Sequence, residues 1–232
     1  MNTIGLLGGM SWESSMLYYQ TINRVVRDAN PSGDGLSSAP ILLDSVNFAV
    51  IAKWMREEDW KRISEYLIQH ARVLETAGAQ VIGICTNTMH KVYDTIASSV
   101  SVPIIHIATP TIAALKAAGV TRAALLGTRF SMNDGFLHDV YATEGIELLS
   151  PNKPQCAQIH NIIMNELCQG VILKSSRAMY VDAISMLQQQ GAQAVVLGCT
   201  EISLLLRSND AELPMFDTAD LHARALAAFC LG

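Results

Sequence analysis

The sequence lacks the features that mark membrane, secreted and nucleic-acid-binding proteins. None of its apolar runs approaches the roughly 20 uninterrupted residues that a transmembrane helix needs. The first four residues (MNTI) carry no basic segment ahead of an apolar core, so we expect no signal peptide and a cytoplasmic location. Charged side chains make up only 16% of the chain and the net charge is −5, which argues against binding to a nucleic-acid backbone.

The cysteines have neither the number nor the spacing of a metal site or a disulfide framework. They are odd in number, they are widely separated, and no CxxC pair occurs. They are Cys85, Cys156, Cys168, Cys199 and Cys230. We therefore expect reduced thiols and no metal ion. The glycines near the start of the chain do not form the GxGxxG pattern, which disfavours a nucleotide cofactor.

What the chain does contain is a large apolar fraction arranged in alternating patterns. Half of the residues are hydrophobic, and short apolar runs alternate with amphipathic stretches. This alternation predicts an α/β architecture with parallel sheets whose strands are buried on both faces. The predicted strands cover residues 3–8, 41–46, 80–84, 103–107, 122–127, 146–149, 194–198 and 214–217. One amphipathic stretch, residues 131–144, predicts a single helix.

An internal repeat divides the chain into two similar halves. Residues 78–82 (GAQVI) match residues 191–195 (GAQAV), and residues 6–8 match residues 125–127 (both LLG). Matches in the same order, each separated by about half of the chain, predict a duplicated fold. Each half then has four parallel strands flanked by helices, and a pseudo-twofold axis relates the halves. Because ligands bind beyond the carboxyl ends of parallel strands, we expect one cleft between the halves.

The repeat also pairs the residues that follow a strand in each half. Thr86 corresponds to Cys199, Asn87 to Thr200 and Thr88 to Glu201. Both segments are expected at a helix N-terminus, where free N–H groups and the helix dipole favour negative charge. We therefore expect a lowered pKa and an accessible thiolate for Cys199. The alternatives are a small core residue for Cys199 and helix capping for Thr86.

Three segments carry a resemblance to a known family. Residues 86–90 (TNTMH) and 197–202 (LGCTEI) resemble the two signature motifs of the aspartate/glutamate racemases, and residues 5–11 (GLLGGMS) resemble that family's first strand and loop. The resemblance covers essentially the whole chain. It implies an amino-acid racemase without a cofactor, with two α/β domains, the active site between them, and a homodimer. It also implies that the C-terminal helix packs on the first domain, which gives domains of residues 1–105 with 213–232 and of residues 106–212.

The family reaction needs two acid–base groups on opposite faces of one carbon. Racemisation removes a proton from one face of Cα and returns a proton to the other. The family's first motif begins with cysteine where this chain has Thr86, and a hydroxyl is a much poorer base than a thiol. The resemblance therefore implies an asymmetric pair, with Cys199 as the competent base and Thr86 as the weaker partner. Cys85 lies one residue earlier and is expected to point to the opposite face of the strand.

The substrate implied by the resemblance is a small acidic or polar amino acid, with aspartate and glutamate foremost. N–H donors at helix starts would stabilise the deprotonated Cα. Lys174 resembles a family lysine that holds the substrate carboxylate, and its alternative is a solvated helix start. His90 is expected to cap or support the site rather than react. The expected substrate-binding residues are Met10, Ser11, Asn47, Asn87, Thr88, Lys174, Thr200 and Glu201.

Two other functions remain open from the sequence. Single-cysteine relatives of this fold include arylmalonate decarboxylases and maleate isomerases, and Thr86 would then belong to a carboxylate-binding pocket. A duplicated fold with a cleft also suits a small-molecule sensor, which would bind a ligand without proton exchange at Cα.

Overall fold

The computed structural model describes residues 1–30, 33, 35–207 and 209–232. The chain forms two compact units. Met1–Ile107 and Ala219–Gly232 make up the first unit, and Ala108–Thr218 make up the second. Among the helices of the described residues, none combines the length and the apolar character that a membrane crossing requires.

Each unit is built on a four-stranded parallel sheet. The first sheet contains β1 (Ile4–Gly8), β2 (Ile41–Ser45), β3 (Val81–Ile84) and β4 (Ile104–Ile105), in the order β2-β1-β3-β4. The second contains β5 (Arg122–Gly127), β6 (Glu147–Leu149), β7 (Ala194–Gly198) and β8 (Met215–Asp217), in the order β6-β5-β7-β8. The strand order is the same in both sheets, which confirms the α/β class and the two similar four-stranded parallel sheets that the sequence predicts.

Helices connect the strands within each unit. In the first unit these are α1 (Trp12–Asp28), α2 (Phe48–Arg56), α3 (Trp60–Thr76), α4 (Tyr93–Ala97) and α11 (Thr218–Leu231). In the second unit they are α5 (Ala108–Ala117), α6 (Arg129–Asn133), α7 (Phe136–Thr143), α8 (Lys153–Asn165), α9 (Lys174–Gln189) and α10 (Ile202–Leu205). Two short 3-10 turns cover Thr88–Val92 and Leu167–Gln169.

The central strands are apolar because both of their faces are covered. Every residue of β1, β3 and β7 is buried. On the first sheet the core includes Tyr18 and Ile22 of α1 and Leu226 of α11. Gly83 leaves room for this packing, since a Cβ at that position would overlap the Leu226 side chain. The last helix of the chain therefore packs on the sheet formed by the first half of the sequence.

Two boundaries differ from those predicted. The expected helix over residues 131–144 is wrong, because Gly135 adopts a left-handed conformation (φ 82°) that separates α6 from α7. Residues 213–217 were expected in the first domain, but β8 pairs with β7 in the second sheet. Extension of that sheet keeps the chain in the second unit until Thr218, and the first unit resumes at Ala219.

Candidate active site

The carboxyl end of β3 carries the first motif. Thr86, Asn87 and Thr88 follow this strand and are all buried, with Thr86 retaining 9% of its exposure. The preceding Cys85 is a fully buried member of the core that α1 and α11 form on the first sheet. Burial raises the pKa of the Cys85 thiol far above its usual range, so this sulfur remains protonated. Cys85 is a packing residue, and the side chain that the motif offers for chemistry at this strand end is Thr86.

His90 fixes the backbone next to Thr86. Its Nδ1 lies 2.9 Å from the carbonyl oxygen of Thr86, and its Nε2 lies 3.0 Å from the backbone nitrogen of Ile107. Since a carbonyl only accepts and an N–H only donates, Nδ1 carries the proton and Nε2 is the acceptor. Burial, together with His106 and His222, holds the pKa of His90 well below its usual range. Both ring nitrogens are therefore engaged with the backbone, and His90 has a supporting role.

His222 plays a similar part at the end of β4. Its Nε2 donates to the carbonyl oxygen of Ile105 at 2.9 Å, and its Nδ1 accepts from the Tyr18 hydroxyl at 2.9 Å. Burial lowers the pKa of His222 to about 3 and that of His106 to about 4. Both histidines are neutral near pH 7, so neither offers positive charge to an anionic substrate, and His222 ties Tyr18 to the end of β4.

The loop after β1 places the expected residues Met10 and Ser11 at the start of α1. The Ser11 hydroxyl caps this helix by accepting from the Ser14 backbone N–H at 3.3 Å. The Ser14 hydroxyl lies 3.0 Å from the Ser11 carbonyl and 3.3 Å from the Cys85 carbonyl, which ties the loop to the end of β3. Gly9 has φ +87°, and a Cβ there would overlap the backbone of Val46. This loop is thus held against the two neighbouring strand ends.

Two other expected substrate-binding residues lie at helix starts. Asn47 follows β2 by two residues and caps α2, its side-chain oxygen accepting from the Ala49 N–H at 3.1 Å. Lys174 is the exposed first residue of α9. Asn47 thus lies just beyond β2 in the first unit, and Lys174 lies beyond the 3-10 turn Leu167–Gln169 in the second unit. Contacts of these two residues with a substrate stay predictions.

The second motif forms a compact hydrogen-bonded group at the carboxyl end of β7. Cys199 follows this strand directly and is 8% exposed. Its Sγ lies 3.0 Å from Oε2 of Glu201, and the Thr200 hydroxyl donates to the same oxygen at 2.7 Å. Because the carboxylate accepts, the thiol is the donor of the sulfur contact. Glu201 is therefore an immediate acceptor for the Cys199 proton, a role that the sequence did not assign to it.

The expected lowering of the Cys199 pKa is wrong. Burial raises the pKa of this thiol well above its usual range, and the charges of Glu201 and Cys168 raise it further. The helix that follows, α10, has only four residues. A short helix contributes little dipole, so the hydrogen bond from the Glu201 backbone N–H does not offset burial and the nearby carboxylate. In the resting protein Cys199 is a thiol beside its proton acceptor.

Removal of the Glu201 charge should make Cys199 more reactive. Since the carboxylate raises the thiol pKa, Glu201→Gln should lower it and raise the thiolate fraction at any pH below that pKa. A lowering by one unit corresponds to about tenfold faster labelling by methyl methanethiosulfonate at pH 8. Labelling is measured on the Cys199 peptide by mass spectrometry.

Glu166→Gln is the matched control for this experiment. Glu166 lies in the same unit and pairs with Ser176, and its charge is absent from the causes that shift the Cys199 pKa. Labelling of this variant should match that of the unmodified protein. An unchanged or slower rate in Glu201→Gln would contradict the assigned effect of the carboxylate.

No group of three or more histidine, cysteine, aspartate or glutamate side chains suited to a metal ion occurs within the part of the chain that the structure describes. Cys85, Cys156, Cys199 and Cys230 are buried, and Cys168 is partly exposed.

Comparison with known proteins agrees with the fold. The family model for Asp/Glu/Hydantoin racemase matches residues 7–226. The fold and this match identify an isomerase of the racemase class. The chain belongs to the Asp/Glu/Hydantoin racemase family.

Individual relatives match along the full length of the chain. A crystal structure from Yersinia pestis, of a protein assigned to the Asp/Glu racemases, has a TM-score of 0.90 and 42% identity, with 100% of both chains covered. An aspartate racemase homologue from Pyrococcus horikoshii has a TM-score of 0.84 and 30% identity, again over 100% of both chains. The broad specificity amino-acid racemase RacX of Bacillus subtilis is 22% identical over 96% of this chain and 95% of its own.

Proposed function

We propose that this racemase inverts Cα of small acidic or polar amino acids, aspartate and glutamate foremost, without a cofactor. The observation that carries the proposal is the 3.0 Å contact between Cys199 Sγ and Glu201 Oε2 at the end of a central strand. When a buried thiol transfers its proton to a neighbouring carboxylate, the resulting thiolate is a base. Abstraction of a proton α to a carboxylate needs such a base, and the family assignment supports this reaction class.

The proton transfers balance as follows. Glu201 Oε2 takes the thiol proton, and the Cys199 thiolate then takes the proton from Cα. The electron pair of the broken C–H bond moves into the substrate carboxylate, which becomes an enediolate. Reprotonation on the opposite face is assigned to the Thr86 hydroxyl, which recovers its proton from solvent, while Glu201 releases the thiol proton to solvent. The reaction converts one enantiomer into the other and consumes nothing.

The developing enediolate needs hydrogen-bond donors at the substrate carboxylate. We assign this role to Asn87, Thr88 and Thr200, which follow the ends of β3 and β7, with Lys174 as the cation. Met10, Ser11 and Asn47 are assigned to the substrate side chain, since they follow β1 and β2 at the carboxyl edge of the first sheet. Except for Lys174, these residues all follow the carboxyl end of a strand in their own unit, and this position supports the assignment.

The asymmetry of the pair follows from the groups around each member. Cys199 has Glu201 as a proton acceptor, whereas His90, the ionisable neighbour bonded to Thr86, has both ring nitrogens engaged with backbone. Thr86 therefore acts better as an acid than as a base. Enantiomers have equal free energies in water, so kcat/KM must be equal in both directions. The asymmetry is expressed instead in kcat and KM separately, and in proton exchange without inversion.

We also propose that the protein is a cytoplasmic homodimer. The resemblance to the family supports both statements, and three large side chains of α1, those of Trp12, Met16 and Tyr19, are exposed by 43–64% on one face of the helix. Analytical ultracentrifugation tests the dimer, and a single species with the 25.2 kDa mass of one chain would contradict it.

A racemisation assay tests the proposed function. Each enantiomer of aspartate, glutamate and the neutral polar amino acids is incubated with the protein, and the products are separated by chiral chromatography. Inversion of an acidic or polar amino acid is expected. Release of carbon dioxide from an arylmalonate, or conversion of maleate to fumarate, without any inversion would instead show the alternative chemistry of this fold. Binding without inversion would identify a sensor.

A further inference from the structure

His90 connects two backbone segments of the first unit through its two ring nitrogens. Nδ1 donates to the Thr86 carbonyl at 2.9 Å, and Nε2 accepts from the Ile107 N–H at 3.0 Å. Ile107 is the last residue of the first unit and directly precedes α5, so its N–H has no acceptor within that helix. The ring thus joins the strand end that carries Thr86 to the point where the chain leaves the first unit.

These two hydrogen bonds exist together only while His90 is neutral. A protonated imidazole has an N–H at both nitrogens and offers no acceptor. A proton on Nε2 would therefore stand against the Ile107 N–H, and this buried backbone donor would lose the acceptor that His90 provides. Such a loss is costly inside a protein because no water replaces the acceptor. The His90 ring has to leave the Ile107 N–H before it takes up a proton.

His222 also uses one nitrogen as a donor and the other as an acceptor, but its second partner is a hydroxyl. Its Nε2 donates to the Ile105 carbonyl, and its Nδ1 accepts from the Tyr18 hydroxyl. A hydroxyl is both a donor and an acceptor, so the Tyr18 oxygen can turn to accept from a protonated Nδ1. Protonation of His222 therefore buries a charge but breaks neither bond.

Three ring systems from three elements face His90. They are His106 beyond β4, Tyr93 of α4 and His222 of α11, with ring centroids 4.5, 5.8 and 6.1 Å from that of His90. Burial and the charge of Asp94 raise the pKa of Tyr93, and burial lowers the pKa of His106 to about 4 and that of His222 to about 3. All three rings are neutral near pH 7, so they do not favour a positive charge on His90. Among the described residues, no carboxylate contributes to the lowered pKa of His90.

We infer that neutral His90 is a positioning residue that ties the Thr86 strand end to Ile107, and that proton uptake by His90 opens this tie, whereas proton uptake by His222 leaves both of its own bonds in place. Once the tie is open, His90 titrates near its ordinary pKa of about 6.5. Since the open form takes up a proton that the closed form excludes, the tie is stable above that pH and is lost progressively below it. The effect on Thr86 in catalysis rests on the proposed function, whereas the opening in acid does not.

Hydrogen exchange of the Ile107 amide tests the tie without any substrate. Exchange is followed on overlapping peptides by mass spectrometry between pH 8 and pH 5, and is expressed as a protection factor that removes the intrinsic pH dependence. Because the open form binds one more proton, its population should rise about tenfold per pH unit once the pH is below the ordinary histidine pKa. The protection factor should therefore be constant from pH 8 to 7 and should fall about tenfold from pH 6 to 5.

His90→Gln separates the tie from its titration. The glutamine side-chain oxygen can take the place of Nε2 and accept from the Ile107 N–H, but it does not titrate. The Ile107 protection factor of this variant should be constant from pH 8 to 5. His222→Gln is the matched control, because it removes a titrating ring from the same group and keeps a donor for the Ile105 carbonyl. It should retain the tenfold fall of the unmodified protein.

Racemisation kinetics test the contact with Thr86. The side-chain nitrogen of asparagine in His90→Asn can replace Nδ1 as the donor to the Thr86 carbonyl, whereas His90→Gln loses this donor. We expect kcat to fall about tenfold in His90→Gln with KM unchanged, and to recover in His90→Asn, because a misplaced reacting group slows the chemical step.

A protection factor at Ile107 that stays constant from pH 7 to 5 in the unmodified protein would overturn the inference, as would an equal fall in His90→Gln. Equal kcat values in His90→Gln and His90→Asn would contradict the positioning of Thr86. The expected fall in protection in a protein that racemises no amino acid would contradict the proposed function and support the tie.

Discussion

Replacement of Cys199 by alanine is expected to reduce both racemisation and Cα proton exchange to background, a loss of about 10⁴-fold. The variant removes the sulfur that takes the Cα proton, and with it the sulfur contact of Glu201. Thr86 alone cannot replace it, since a hydroxyl is far weaker than a thiol as a base. Chiral chromatography measures inversion, and NMR in D₂O measures exchange.

Cys156→Ala is the matched control for this loss. Cys156 is a buried thiol of the same core, it is absent from the groups that shift the Cys199 pKa, and no step of the mechanism passes through it. Its removal should leave the racemisation rate within about threefold of the unmodified protein, as expected for a change outside the reacting groups. A Cys199→Ala variant that still exchanges the Cα proton would contradict the role of Cys199 as base.

Thr86→Cys is expected to make the two directions of the reaction alike. A thiol at this strand end restores the pair of cysteines that the family motif carries, and a thiol with a pKa of about 8.5 is a far better base than a hydroxyl. We expect a rise in kcat of about 10- to 100-fold in the direction where Thr86 must remove the proton. Separate kcat and KM values for each enantiomer measure this change.

Thr86→Ser is the control, because it keeps the hydroxyl and removes only a methyl group. Its kinetics should retain the asymmetry of the unmodified protein. If Thr86→Cys also leaves the asymmetry untouched, the role assigned to Thr86 is wrong.

The architecture could be predicted from the sequence because buried parallel strands leave a direct signal. All eight apolar runs became strands, and the repeat predicted the matching strand order of the two sheets. The helix break at Gly135 was missed because an amphipathic pattern continues across it. The sheet that β8 joins was missed because strand pairing decides it, and a single segment does not reveal its pairing partner.

At the site, the sequence could place residues but could not determine their electrostatics. The repeat aligned Thr86 with Cys199, and the structure puts both within two residues of the end of a central strand. The direction of the Cys199 pKa shift was wrong because burial and the bend of Glu201 toward the sulfur are tertiary effects.

The most direct test of the central claim is deuterium incorporation at Cα, followed from each pure enantiomer of aspartate or glutamate in D₂O. The asymmetric pair predicts that the enantiomer whose Cα proton faces Cys199 gains deuterium faster than it inverts, because the thiol exchanges its proton through Glu201 and returns deuterium to the same face. The other enantiomer should invert with deuterium in the product and little deuterium in the remaining substrate. Equal ratios of exchange to inversion for the two enantiomers would contradict the account.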